Sequence, residues 1–381
     1  MATNRLIIVG DLFPFKSNLD FFCKGDIKSL FGDTICDMFA NAGYRICNLE
    51  GTLTDGQGKC EKTGPVIKAP TLAINAYKAL GIDCCMLANN HITDGGSIGV
   101  ADTIKTLEGA GIQHIGAGMT TNDIQHHIIL NLNGKKICVY NVSERMYNQP
   151  SNKEAGAWIY DEYEVCKELE ALKRNSDHII VIYHGGIEKF QYPSPETRKR
   201  FHRMADSGAD VILSQHTHCI GCEEYYRGSY LLYGQGDFLF NNFRPKITDT
   251  GLIVEIEIGD NSLKVNKYKT KTADSKVHYD EKQDLKEFEE RSLKMADEAY
   301  VFQQFQSFCK KELHLYLTAF KSPNKILRAI RKFFPSYYRK WLYNHAFKKK
   351  DLLFALHTLR SEQNRETAIV GLENLLDREA N

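Results

Sequence analysis

The sequence lacks several things, and each absence narrows its class. No apolar run approaches the roughly 20 residues needed to cross a bilayer. The opening "MATNRLIIVGD" enters a strand pattern at once instead of a secretory hydrophobic segment with a cleavage site. The expected location is the cytoplasm, with peripheral contact at the inner face of the membrane left open. Charge of one sign is not in excess: 49 Lys and Arg against 48 Asp and Glu leave a formal net charge of +1. Attraction to an anion must therefore come from local groups, and no nucleic acid is expected as a partner. A disulfide framework is also missing. The 11 cysteines are odd in number and scattered, and Cys219-Ile220-Gly221-Cys222 has no second CxxC to complete a four-thiolate zinc site. Its thiols read as buried and inert. Internal repeats and low-complexity segments are absent.

What is present is a globular composition, 43% hydrophobic and 25% charged, in a chain of 381 residues. That length exceeds the usual span of one domain. Short apolar runs such as "RLIIVGD", "YRICNLE", "IDCCMLAN", "HIIVIYHGG" and "ADVILSQ" read as strands. Between them lie segments of helical spacing, including "SIGVADTIKTLEGAG" and "DEYEVCKELEALKRNS". Alternating strands and helices predict an α/β fold with parallel pairing. After about residue 220 the strands are joined by tight turns, which predicts a second, largely antiparallel sheet packed on the first. From about residue 281 Lys, Glu, Leu, Phe and Tyr recur at helical periods. The expected domains are therefore 1–275 and an all-helical appendage, 281–381. Between Thr318 and Lys350 stand ten Lys or Arg and no acid, interleaved with Phe333, Phe334, Tyr337, Tyr338, Trp341 and Tyr343. That stretch is a candidate contact for a membrane surface or a protein partner, against the plainer reading of a solvated helical face.

The functional signal sits at the strand ends. The first strand closes on Gly10-Asp11, the second on Asn48-Leu49-Glu50-Gly51 and the third on Asn89-Asn90-His91. Later ones close on His184-Gly185-Gly186-Ile187-Glu188 and Gln215-His216-Thr217-His218. Each has a bland explanation as a cap, a turn or a surface pair. Together they must converge, because the carboxyl ends of parallel strands lie along one edge of a sheet. Converging oxygen and imidazole groups form a ligand set suited to Mn, Fe or Zn.

The set "GDLFPF", "NLEGTLT", "ANNHITDGG", "HGGIE", "SQHTHCIG" and "YLLYGQGDFLF" resembles the poly-γ-glutamate capsule biosynthesis protein CapA family, a branch of the calcineurin-like metallophosphoesterases. The resemblance runs from about Leu6 to Phe240. It implies a four-layer α/β/β/α sandwich and one or two divalent metal ions. It implies that Asp11 and Glu50 supply carboxylates, Glu50 as the bridging acid, that Asn90, His184 and His216 complete one metal, and that His218 serves the other. His91 is then the acid for the leaving oxygen, with Asp94 orienting its ring. Two departures matter. The wider superfamily's first motif is Asp-x-His where this chain has Phe13, and Asp237 stands where the family usually has Asn. The function implied is a metal-dependent hydrolase acting on a phosphoester, or on an amide or ester of an anionic polymer, with a role in capsule or poly-γ-glutamate assembly. The alternative from another class is a metal-binding scaffold in such a machinery that turns nothing over. Lys62 and Lys68, after Glu50, are further candidates for meeting an anionic substrate.

Overall fold

The computed structural model describes residues 4–60, 65–146, 148–150, 154–240, 246–260 and 262–320. The expected basic, aromatic stretch at 318–350 lies outside these residues beyond Phe320, as do Lys62 and the rest of the C-terminal region. Strand β1 (Arg5–Leu12) carries Leu6, Ile7, Ile8 and Val9 in an unbroken apolar run, the pattern of a strand covered on both faces. Helices α1 (Leu19–Lys24) and α2 (Ile27–Ala40) lead to β2 (Tyr44–Leu49), parallel to β1. The next loop holds the short pair β3 (Thr52–Leu53) and β4 (Lys68–Ala69). Then α3 (Ile74–Leu80), β5 (Cys84–Met86), α4 (Gly96–Ala110) and β6 (Gln113–Ile115) extend the parallel series.

After β7 (Ala117–Gly118), the chain forms β8 (His127–Leu132) and β9 (Lys135–Ser143), then the short β10 (Gly156–Ala157) against β7. Helix α5 (Glu162–Lys173), β11 (His178–His184), α6 (Pro195–Asp206) and β12 (Val211–Gln215) follow. Strands β13 (Glu223–Tyr226), β14 (Ser229–Leu232), β15 (Thr250–Ile258), β16 (Leu263–Ala273) and β17 (Lys276–Tyr279) precede helices α7 (Lys286–Leu293) and α8 (Glu298–Phe320).

Two large sheets result, ordered β17-β16-β15-β1-β2-β5-β6 and β13-β14-β12-β11-β9-β8. Successive residues of a strand face opposite sides, and the two faces of each sheet are covered differently. Leu6, Ile8, Ile46 and Met86 of the first sheet join Ile137, Val139, Ile180, Ile182 and Leu213 of the second in one buried cluster. Ile7, Val9, Cys47 and Cys85 face the other way, onto Phe22, Leu30, Phe39, Tyr77 and Leu107 of α1–α4. On the far side Tyr183 of β11 packs edge-on against Phe201 of α6, ring centroids 5.6 Å apart. The molecule is thus the four-layer α/β/β/α sandwich.

The expectation that residues after 220 build a separate antiparallel sheet is corrected. β13 and β14 extend the second sheet, β14 lying parallel to β12. β15 pairs antiparallel with β1, placing β15–β17 in the first sheet. The physical reason is β1's outer edge: its N–H and C=O groups need partners that the preceding strands, all on its other side, do not supply. A second correction concerns β8, which pairs antiparallel with β9 as a hairpin, while β9 itself runs parallel to β11. The dipeptide Asn133-Gly134 turns the hairpin, with φ of 53° and 72°, as a two-residue hairpin requires.

One compact unit spans residues 1–305 and a second 306–381. Phe288 of α7 is buried in the inter-sheet cluster. No helix among the described residues is long and apolar enough to cross a membrane.

Candidate metal centre

The carboxyl ends of β1, β2, β5, β11 and β12 meet at one edge of the sandwich. At β1 the pairing with β2 slips between Val9 and Asp11, a bulge that re-aims the aspartate. Gly10 permits the close pass this needs, since a Cβ there would lie 2.3 Å from Gly236 O. The Asp11 carbonyl then accepts from Phe238 N (3.0 Å) and Leu239 N (2.9 Å), which fastens the segment carrying Asp237 beside it. At β12 the chain leaves through His216 and His218 with φ of 85° and 53°, left-handed conformations that cost energy outside glycine and cluster at functional sites.

Asp11, Glu50, Asn90, His91, Asp94, His184, His216 and His218 all come together and all are buried. Glu50, His184 and His216 form one group and Asp11, His218 and Asp237 another, the ligand atoms of each lying within 4.8 Å of one another. Glu50 stands between them: its Oε1 is 3.6 Å from His184 Nε2, 3.9 Å from His91 Nε2 and 4.0 Å from His218 Nε2. Asn90 Oδ1 is 2.8 Å from His184 Nε2. His218 Nδ1 contacts Asp237 Oδ1 at 2.7 Å and Asp11 Oδ2 at 3.3 Å. His91 Nδ1 meets Asp94 Oδ2 at 2.7 Å, and the same oxygen accepts from Ile67 N. The imidazole is therefore held with Nε2 toward Glu50.

Burial and mutual charge set the protonation. Burial raises Glu50 well above the usual carboxylate range, and the neighbouring Asp11 charge adds to it. Asp11 feels the same burial, but its hydrogen bond from His218 and the nearby His184 outweigh it and hold it low. Burial lowers His184 well below the ordinary imidazole value and His216 to about 4. For His218 burial is overcome by the charges of Asp237 and Glu50, and its pKa is raised.

A divalent cation fits this donor set. Both Glu50 oxygens and His216 Nδ1 are buried without a hydrogen-bond partner among the described residues. A buried carboxylate in that condition costs several kcal/mol unless a proton or cation neutralises it. Imidazole, carboxylate and carboxamide together suit Mn, Fe or Zn.

Position 13 adds no imidazole. Phe13 is buried against Phe15, and Phe240 stacks on His218 with ring centroids 5.1 Å apart. Asp237 is the third group beside Asp11 and His218. Lys68 does not reach the centre, because its Nζ donates to Gly58 O. Cys219 and Cys222 are buried, and burial pushes the Cys219 thiol up to about 12, so neither is a reactive pair. His126 stacks on Trp158 with 4.4 Å between centroids and lies 3.2 Å from Glu168, a structural contact away from the centre.

Two residues escaped the sequence reading. Asn48 Nδ2 donates to Asp11 Oδ1 (2.7 Å) and lies 3.1 Å from His184 Nδ1, linking the two groups. Its signal was its place two residues before Glu50. Glu144, after β9, approaches His216 and had no motif to mark it.

The capsule biosynthesis protein CapA of Bacillus anthracis is 27% identical over 206 residues, 52% of this chain and 50% of that one. A "probable polyglutamine synthesis accessory protein" of Mycobacterium tuberculosis is 29% identical over 212 residues, 52% of this chain and 56% of its own. The chain spans about half the length of these curated relatives. Among solved structures, a 5'-nucleotidase precursor of Thermus thermophilus overlaps 82% of this chain and 59% of its own at 13% identity and a TM-score of 0.39, too loose a likeness to bear on activity. The family model described as bacterial capsule synthesis protein PGA_cap matches residues 5–242, more than half of the chain, and to that family the chain belongs.

Proposed function

We propose that this chain is a metal-dependent hydrolase of an anionic substrate, a phosphoester or an amide or ester of an anionic polymer, serving capsule or poly-γ-glutamate assembly. The observation that carries the reading is the buried Glu50 carboxyl, neither oxygen of which has a hydrogen-bond partner among the described residues, beside His184, His91 and His218. Glu50, His184, His216 and Asn90 would hold one cation, and Asp11, His218 and Asp237 a second. Such cations would supply charge neutralisation for an anionic substrate and a water of lowered pKa.

The chain's own residues do the rest. His91, held through Nδ1 by Asp94, presents Nε2 to the centre and delivers a proton to the departing oxygen. Asp94 stabilises the imidazolium before transfer and keeps the ring from turning. Phe240 stacks on the His218 ring and packs edge-on against Phe15, which in turn packs against Phe13. A scaffold that only bound metal would have no use for the His91–Asp94 pair. The family's description and the name of the Bacillus anthracis relative support the capsule role.

The test is metal content by mass spectrometry together with turnover of aryl phosphate, phosphodiester and γ-glutamyl amide panels in added Mn. His91→Ala is expected to keep its metal and lose at least about 100-fold in kcat. A His91→Ala protein with full turnover, or a wild type without metal, overturns the reading.

A further inference from the structure

Glu144 bridges strand ends that carry the proposed ligands. Its backbone N–H donates to His184 O (3.0 Å), and its Oε2 accepts from Gly186 N (3.2 Å). Its Oε1 lies 3.7 Å from His216 Nε2. The segment that follows is fixed as well: the buried Asn148 donates through Nδ2 to Asn89 O (3.1 Å) and Ser143 Oγ (2.9 Å). The carboxylate is therefore anchored at the end of β11 through Gly186, the segment that follows it is tied to the end of β5 through Asn148, and the carboxylate faces the residue that leaves β12.

His216 presents two different nitrogens. Nδ1 is buried with no hydrogen-bond partner, and the ring belongs to the group containing Glu50 and His184. Nε2 is turned toward Glu144.

We propose that Glu144 is a positioning residue for His216: its carboxylate takes the Nε2–H, so that Nδ1 keeps its lone pair for a divalent cation shared with Glu50 and His184. The inference rests on the metal-centre reading above. An imidazole ligand is oriented by the acceptor its other nitrogen finds, and losing that acceptor typically costs about 10–100-fold in metal affinity. The present separation is an electrostatic contact, and less than about 1 Å of side-chain movement converts it to a hydrogen bond of ordinary length. Glu144 brings no lone pair to the cation in this arrangement. It selects which lone pair His216 offers.

The test uses the full chain as wild type, Glu144→Ala and Glu144→Gln. Titration with Mn alone is expected to show the Ala variant about 10–100-fold weaker. The Gln variant keeps an acceptor oxygen and recovers most of the loss. In parallel, nitrogen-15 NMR of the metal-free proteins, labelled at histidine, should find His216 protonated on Nε2 in wild type and distributed over both nitrogens in Glu144→Ala. Equal Mn affinity in wild type and the Ala variant, a Gln variant as weak as the Ala one, or an unchanged His216 tautomer overturns the proposal. A wild type that binds no Mn sinks the metal centre instead, and the tautomer measurement still decides for or against Glu144.

Discussion

His216 and His218 stand two residues apart on one loop, are almost equally buried, and are driven in opposite directions. Burial penalises the imidazolium in both. His218 touches Asp237 and Asp11 at 2.7 and 3.3 Å, and the charges of Asp237 and Glu50 together with those hydrogen bonds outweigh that penalty. His216 has Glu144 at 3.7 Å on its outer nitrogen and stays neutral to about 4. Depth in the protein thus says little about protonation, and contact with carboxylates says much. One half of the centre is rich in anions and keeps a proton where a cation belongs. The other half offers neutral imidazoles with open lone pairs. Glu50 groups with the neutral imidazoles, and its Oε1 lies 4.0 Å from His218 Nε2 across the division.

The largest effect is expected where that division fails. Glu50→Gln retains the shape but removes the charge that lies beside both halves, and should abolish binding at both positions, with turnover reduced by at least about 1000-fold; metal stoichiometry and kcat measured together check this. Two bound ions surviving in that variant would mean that the halves are independent.

Next come the separate halves. His216→Ala and His218→Ala should each lose one of two ions and about 100-fold or more in kcat/KM, with the remaining ion kept by the other group. Asp237→Asn is the sharper probe, because it leaves His218 in place and restores the residue that the resemblance leads one to expect there. Its metal affinity should fall about 10-fold at the second group alone.

A smaller effect is the pH profile of the metal-free protein. His184 and His216 have folded pKa values below the unfolded value of about 6.5, so the stability they contribute is full above that value and is lost as pH falls toward 4. His218 and Glu50, both raised, act with the opposite sign, and their contribution is lost as pH rises through their folded values. Urea midpoints between pH 4 and 7 should therefore show a flank that flattens in His216→Ala, by on the order of 1–3 kcal/mol. An identical slope in the two proteins would show that His216 is not buried as a neutral ring. At the bottom of the scale, Lys68→Ala should change turnover less than about twofold, because its ammonium is spent on Gly58 O.

The convergence of Asp11, Glu50, Asn90, His184 and His216 was legible because parallel strands in an α/β layer end on one edge, and the apolar runs before these residues mark the strands. Asn48 was less so: it precedes Glu50 inside the same strand and gives no sign of which neighbour it will bind. Glu144 was invisible, since its two side-chain contacts, Gly186 and His216, are 42 and 72 positions away in sequence. Asp237 could be noticed but not placed, for a turn aspartate and a metal ligand look alike until β1 is seen to fasten its loop.

The apolar strand runs, the helices over 96–110 and 162–173 and the chemistry gathered at the strand ends could be read from the linear pattern, because each is local periodicity or residue type. It took the tertiary structure to place β15–β17 in the sheet of β1, to stack Phe240 on His218, and to set His216 and His218 in opposite electrostatic surroundings. Those outcomes depend on which distant groups fill an open edge or touch a buried ring, and distance in space is what a linear pattern does not carry.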